Sequence, residues 1–115
     1  MKNIDQFEIW TSDISYPQED ESSSLYLLVL QNSILNEFHP TVIVCPITTK
    51  VIAGSEILRV HVPGNSTQIE SDCDVVIDQI RVIGTDRLIK KKGKLPMEYA
   101  EKVKENIKIV IDIDI

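Results

Sequence analysis

The sequence predicts a mainly β fold with one C-terminal helix. Three observations carry this. Short runs rich in Val, Ile and Leu recur between Glu8 and Leu95, separated by polar, turn-forming stretches. The strand-like runs follow one another without intervening helices, a pattern of antiparallel or barrel-like folds and not of βαβ alternation. Helical periodicity appears only after Pro96. At 115 residues, with no internal repeat or linker, residues 1–115 read as a single domain.

The elements follow in order. Residues 8–14, Glu-Ile-Trp-Thr-Ser-Asp-Ile, form a first strand, rich in β-branched and aromatic side chains. Residues 17–24 are polar and aperiodic, and read as a loop. Residues 25–31 are a nearly continuous apolar run, expected to be a strand buried on both faces. Residues 32–40 form a loop with room for one helical turn. Residues 41–47 make a second buried strand, in which Pro46 suggests an edge or a bulge.

Residues 56–62 alternate as a half-buried strand, ended by the turn Pro63-Gly64-Asn65-Ser66. Residues 73–83 form the longest predicted strand, closed by Gly84-Thr85-Asp86. Residues 88–95 carry Lys90, Lys91, Lys92 and Lys94 and fit a short exposed edge strand, whose charges block edge-to-edge pairing. Pro96 suits the first helical position, where its missing N–H costs nothing. Glu98 and Glu101 suit the helix dipole, and Ala100, Val103, Ile107 and Val110 form one apolar face. The tail from Ile109 to Ile115 alternates like a strand and leaves the helix end open.

Composition narrows the function. Apolar content is 43% and charged content 26%, as in ordinary globular domains. No apolar run reaches the roughly 18 residues of a membrane span, and residues 1–6 contain no apolar signal segment. The expected compartment is the cytoplasm. Cys45 and Cys73 lie in apolar runs without Cys or His at metal-ligand spacing, so they read as buried, reduced thiols, and no metal or cofactor is expected. The net charge is −6, and its placement is uneven. Residues 1–49 hold one base, Lys2, and seven acids, whereas residues 50–115 hold 11 of each. Phosphate backbones are bound largely through cations, so the charge opposes a nucleic-acid partner.

Three motifs stand in one order and spacing: Leu30-Gln31-Asn32, then Pro40-Thr41 to Pro46-Ile47-Thr48-Thr49, then Asp78-Gln79-Ile80-Arg81. Together they resemble the MazF/PemK family of toxins. Residues 27–47 match that pattern almost without gaps, and Glu8-Ile9-Trp10 resembles its opening strand, with Phe7 where a Gly is usual. The resemblance implies an SH3-like small barrel of the MazF/PemK/CcdB toxin type, paired as a homodimer. It also implies a type II toxin–antitoxin partnership, with a cognate antitoxin whose acidic segment enters the groove that takes single-stranded RNA.

The implied chemistry is metal-independent RNA cleavage by attack of a 2′-hydroxyl on the adjacent phosphorus. It needs a proton acceptor, a proton donor and fixed donors for the phosphoryl oxygens. In the family a Thr and an Arg serve this site. Thr48 matches the Thr and is the candidate catalytic residue. Leu25 stands at the Arg position, and no Arg or Lys lies between Lys2 and Lys50 to replace it. The resemblance assigns RNA contact to Asp78 and Gln79; Thr49 and Arg81 join them as candidate RNA-binding residues. Arg81 also reads as a structural ion-pair partner, and Arg81, Arg59 or Lys50 are the candidate substitutes for the missing Arg. His39 and His61 match no family catalytic position and read as surface or capping residues. Trp10 reads as core or interface. Three function classes follow: an endoribonuclease, attenuated by Leu25; a catalytically silent toxin-fold binding protein; and a toxin acting on a protein target such as a topoisomerase.

Overall fold

The computed structural model describes residues 2–14, 25–54 and 56–113. The predicted loop 17–24 lies outside the described residues. Among the described residues seven strands, all paired antiparallel, carry the fold: β1 Glu8–Ser12, β2 Leu25–Val29, β3 Thr41–Thr48, β4 Arg59–Val62, β5 Cys73–Val76, β6 Arg81–Gly84 and β7 Leu88–Lys94. The sheet order is β4-β5-β3-β2-β1-β7, with β6 pairing β3 beside β5. Two α-helices complete it: α1 Ser33–Phe38 and α2 Met97–Ile111, with a 3-10 turn at Thr85–Arg87. The predicted mainly β architecture with a C-terminal helix holds. The sheet curls in barrel fashion without closing, since β4 and β7 each pair on one side only.

The centre of the sheet is buried on both faces. One face packs Ile9, Leu28, Cys45, Ile47, Val62 and Val75 against Ala100 and Val103 of α2. The other gathers Trp10, Leu27, Val29, Val42, Val44 and Leu88. Alternating residues of β3 thus enter different cores, as the two-fold side-chain period requires. Buried apolar surface at about 25 cal/mol per Å² makes these two layers the main stabilising term.

Several boundaries differ from the predicted ones, for local reasons. The 73–83 run is two strands, because the chain turns at Ile77-Asp78 and β5 and β6 then pair different stretches of β3. Thr48 pairs Asp74, whereas Val44 pairs Arg81. Pro46 lies inside central β3, not at an edge. It stands where that strand changes neighbour, since Cys45 and Pro46 have partners only on β2. The 56–62 run keeps strand geometry only from Arg59. Pro96 is the N-cap of α2, one residue before the predicted position, and the helix runs to Ile111 before Asp112 turns left-handed at φ 61.

The Leu-Gln-Asn motif is a scaffold. The Asn32 side chain accepts from Ile34 N at 2.8 Å and caps α1. Gln31 Nε2 donates to Asn36 Oδ1 and to Thr41 O, tying the end of β2 to the start of β3. Buried Asn36 in turn donates to Ile4 O at 3.0 Å. The lysine run lies on the end strand as expected, but Lys91 also reaches back to buried Glu8 at 3.2 Å. Glu8 further accepts from Trp10 Nε1 at 3.1 Å, and Trp10 is core.

Candidate functional site

Thr48 ends β3. It is buried, and its Oγ1 accepts the backbone N–H of Lys50 at 3.0 Å, which folds residues 48–50 into a tight turn. Thr49 and Lys50 beside it are exposed. Across the ladder Thr48 faces Asp74 of β5, and Asp74 faces His61 of β4. Directly paired residues point to the same face of a sheet. Thr48, Asp74 and His61 therefore form one polar row across three strands, with Arg59, two residues from His61, on the same side.

Asp74 is the hub of that row. Its side chain is 2% exposed. Oδ2 accepts from Ile52 N at 3.0 Å and from Arg59 Nη1 at 3.2 Å; Oδ1 lies 3.2 Å from His61 Nδ1. Arg59 Nη1 also donates to Lys50 O at 3.0 Å. Lys50 thus joins the Thr48 hydroxyl to Arg59, and Arg59 joins it to Asp74 and His61. A buried carboxylate needs such pairing, because desolvation disfavours a lone charge by several kcal/mol or more.

Arg59, His61 and Asp74 open on a groove of about 570 Å³ along β4. Val51 to Gly54 form one wall, and Tyr99 and Lys102 of α2 another. Glu56 and Glu98 also line it. The volume lies in the range of small-molecule sites.

The predicted site residues do not all meet here. Asp78 and Gln79 lie in the β5–β6 turn, not on a strand, with Asp78 exposed. Arg81 starts β6 opposite Val44, four residues from Thr48, or about 13 Å along β3 at 3.3 Å per residue. It lines a separate recess with Asp13 and Arg87, which pair with each other at 2.8 Å. Of the three candidate substitute cations, only Arg59 and Lys50 lie beside Thr48. His61, read as a surface or capping residue, is exposed and pairs with the buried Asp74 carboxylate. The signal was present in the sequence: Arg59 and His61 alternate with Val60 and Val62, and Asp74 interrupts an apolar run from Cys73 to Ile77.

Leu25 begins β2, where its backbone pairs Ser12. β2 and β3 pair Tyr26 with Ile47, the residues next to Leu25 and Thr48.

Both cysteines are buried and free, as expected. Burial pushes the Cys73 thiol up to about 11, with Asp74 and Asp72 adding to it, and burial raises Cys45 further. The described residues contain no group of three His, Cys, Asp or Glu side chains that would hold a metal ion. No described helix is long and apolar enough to cross a membrane.

The family model of the PemK-like, MazF-like toxin of type II toxin-antitoxin systems matches residues 5–111. The chain belongs to that family. Among curated MazF-like relatives, Endoribonuclease EndoA of Bacillus subtilis (strain 168) is 31% identical over 103 residues, covering 89% of both chains. Endoribonuclease MazF of Staphylococcus saprophyticus is 28% identical over 109 residues, covering 94% of this chain and 88% of the relative. The fold is likewise that of solved MazF structures. Mycobacterium tuberculosis toxin MazF-mt6 superposes with a TM-score of 0.77 at 20% identity, over 94% of this chain and 99% of that one. MazE-MazF (Form-II) from Deinococcus radiodurans gives 0.76 at 15% identity, over 99% and 100%. A mycobacterial endoribonuclease in complex with its cognate antitoxin gives 0.77 at 16% identity, over 100% and 99%.

Proposed function

We propose that this chain is the toxin of a type II toxin–antitoxin pair and a metal-independent endoribonuclease that cuts single-stranded RNA in a sequence-dependent way. It works in the cytoplasm as a homodimer and is silenced by a cognate antitoxin. The observation that carries this reading is the family match over residues 5–111, together with a relative named an endoribonuclease at 31% identity. A mycobacterial endoribonuclease of the same fold, solved in complex with its cognate antitoxin, supports the partnership.

In this reading the 2′-hydroxyl attacks the adjacent phosphorus and the 5′ oxygen leaves. Thr48 directs its hydroxyl at a phosphoryl oxygen. Thr49 is exposed beside it, and Asp78, Gln79 and Arg81 contact the RNA farther along the surface. Leu25 gives no charge to the phosphate. Loss of one such donor costs about 2.7–4 kcal/mol, a hundred- to thousand-fold in rate. The acidic first 49 residues weaken RNA binding by like-charge repulsion.

The test is cleavage of a mixed-sequence RNA by the purified chain, beside Thr48→Ala. Slow cutting that depends on Thr48 is the expected result. Growth arrest on expression with RNA intact would instead assign a protein target. The absence of both arrest and cutting would assign a silent binding protein.

A further inference from the structure

The 1–49 segment holds a single cation, Lys2, and its Nζ is engaged by the carbonyls of Thr85 and Leu88. Whatever charge meets a phosphate near Thr48 comes from later in the chain. Arg59 meets that need. Its Nη1 is committed to Asp74 and Lys50, while its Nε and Nη2 make no bond to a described residue. A guanidinium held by one nitrogen offers its remaining donors in a fixed fork, which suits two oxygens of a phosphate.

The second part of the cluster is the imidazole. Nδ1 of His61 faces the buried Asp74 carboxylate at 3.2 Å, and the side chain is 52% exposed. A carboxylate beside Nδ1 favours the tautomer with its proton there, which leaves Nε2 as the basic nitrogen. Neither Thr48 nor Leu25 carries a group able to take a proton near neutral pH.

We infer that His61, aligned by Asp74, accepts the 2′ proton in RNA cleavage by this chain, and that Arg59 supplies the cation that Leu25 does not. The inference rests on the nuclease reading above. The step balances without a metal or a cofactor. The 2′ oxygen gives its proton to His61 Nε2 and bonds to phosphorus. The P–O5′ bond breaks, with its electron pair on the 5′ oxygen, which takes a proton from water. The resulting hydroxide takes the imidazolium proton, and His61 returns to its starting form. The products are a 2′,3′-cyclic phosphate and a 5′-hydroxyl. His61 is the catalytic residue in this scheme, Arg59 a phosphate ligand and Asp74 a positioning residue.

Other charges line the same groove as the imidazole. Arg59 comes from its own strand, Asp74 from β5, Glu98 and Lys102 from α2, and Glu56 from the preceding loop. Glu56 and Glu98 oppose a phosphate in the groove, so replacing both by Gln tightens RNA binding several-fold.

The test uses the full chain. Cleavage of a mixed-sequence RNA is followed from pH 5 to 9 for wild type, His61→Gln, His61→Ala and Asp74→Asn. Binding is read separately with an uncleavable 2′-deoxy oligonucleotide. His61→Gln lowers the rate about a hundred-fold or more, the usual contribution of a positioned acid–base group, and leaves binding within about three-fold. The acid limb of the wild-type pH profile disappears with it. Added imidazole restores cutting to His61→Ala, which a merely structural role would not allow. Asp74→Asn, whose fold is checked by circular dichroism, loses rate and shifts the same limb. Wild-type rate and pH profile in His61→Gln would overturn the assignment while leaving the nuclease reading intact. If wild type cuts no RNA, the nuclease reading falls and the His61 assignment with it.

Discussion

Asp74 holds Arg59 through a 3.2 Å contact between Oδ2 and Nη1, with the carboxylate 2% and the guanidinium 21% exposed. This pair anchors the edge strand β4 and the loop that follows β3, because the same carboxylate accepts from Ile52 N and the same guanidinium donates to Lys50 O. Arg59→Met leaves a buried charge short of one partner. It should lower unfolding free energy by about 3 kcal/mol, the lower end for breaking a buried pair. Asp74→Asn removes the charge and keeps the shape, so its loss should be smaller. Urea unfolding of both variants measures the order, and equal losses would contradict the pairing.

Phe7 stands at φ 67, in the left-handed region, with its ring in the core against α2 and Lys104 Nζ 5.5 Å from the ring centroid. Its N–H donates to Val29 O at 2.7 Å and its carbonyl accepts from Leu95 N at 2.9 Å, so the conformation is held from both sides. A side chain at positive φ costs about 1–2 kcal/mol relative to glycine. Phe7→Ala should destabilise by about 3–5 kcal/mol through the lost ring. Phe7→Gly should cost about 1 kcal/mol less than Phe7→Ala, which inverts the usual order of these two residues inside structured elements. Thermal or urea midpoints of the pair decide it.

The thiols set an alkaline limit. Cys73 is raised from an ordinary 9.0 to about 11 by burial, then by Asp74 and Asp72. Between those values the unfolded chain has lost a proton that the folded chain keeps. Fewer protons on the unfolded state mean that stability falls as pH rises, by up to about 1.4 kcal/mol per pH unit for each such group. Cys45 shifts in the same direction and adds to the slope. Unfolding free energy should be flat from pH 7 to 8 on this account and decline from pH 9 to 11, with a shallower decline in Cys73→Ala. Neither thiol should react with a disulfide reagent until the protein unfolds, since a neutral buried thiol is a poor nucleophile.

The parts of the fold legible in the sequence were those set by periodicity. β2, the core of β3 and the apolar face of α2 follow directly from runs and spacing. What misled was continuity. Residues 73–83 read as one strand because Ile77 and Ile80 extend the apolar pattern through a turn, and tertiary pairing to two parts of β3 decides the break. Thr48 and Arg59 could be named from sequence as site candidates, but their joining through Lys50 could not, because it depends on backbone atoms from a turn. The Asp74–His61 pair was hidden for a similar reason. It spans 13 residues of sequence and becomes adjacent only through the β4–β5 register.

Strand register also bears on Leu25. Leu25 pairs Ser12 through its backbone, and Tyr26 and Ile47, the residues next to Leu25 and Thr48, pair across the β2–β3 ladder. Residues on neighbouring rungs of a ladder lie within reach of a long side chain, so an Arg at position 25 would bring its guanidinium near a phosphate that Thr48 contacts. Leu25→Arg should therefore raise RNA cleavage about a hundred- to thousand-fold, the usual worth of one charged donor at such a site, and raise toxicity on expression in parallel. The gain should be largest in an Arg59→Met background, because the two cations would then serve one phosphate in turn. Equal gains in both backgrounds would mean that Arg59 contributes nothing to the phosphate. No gain in either would mean that residue 25 does not face the substrate.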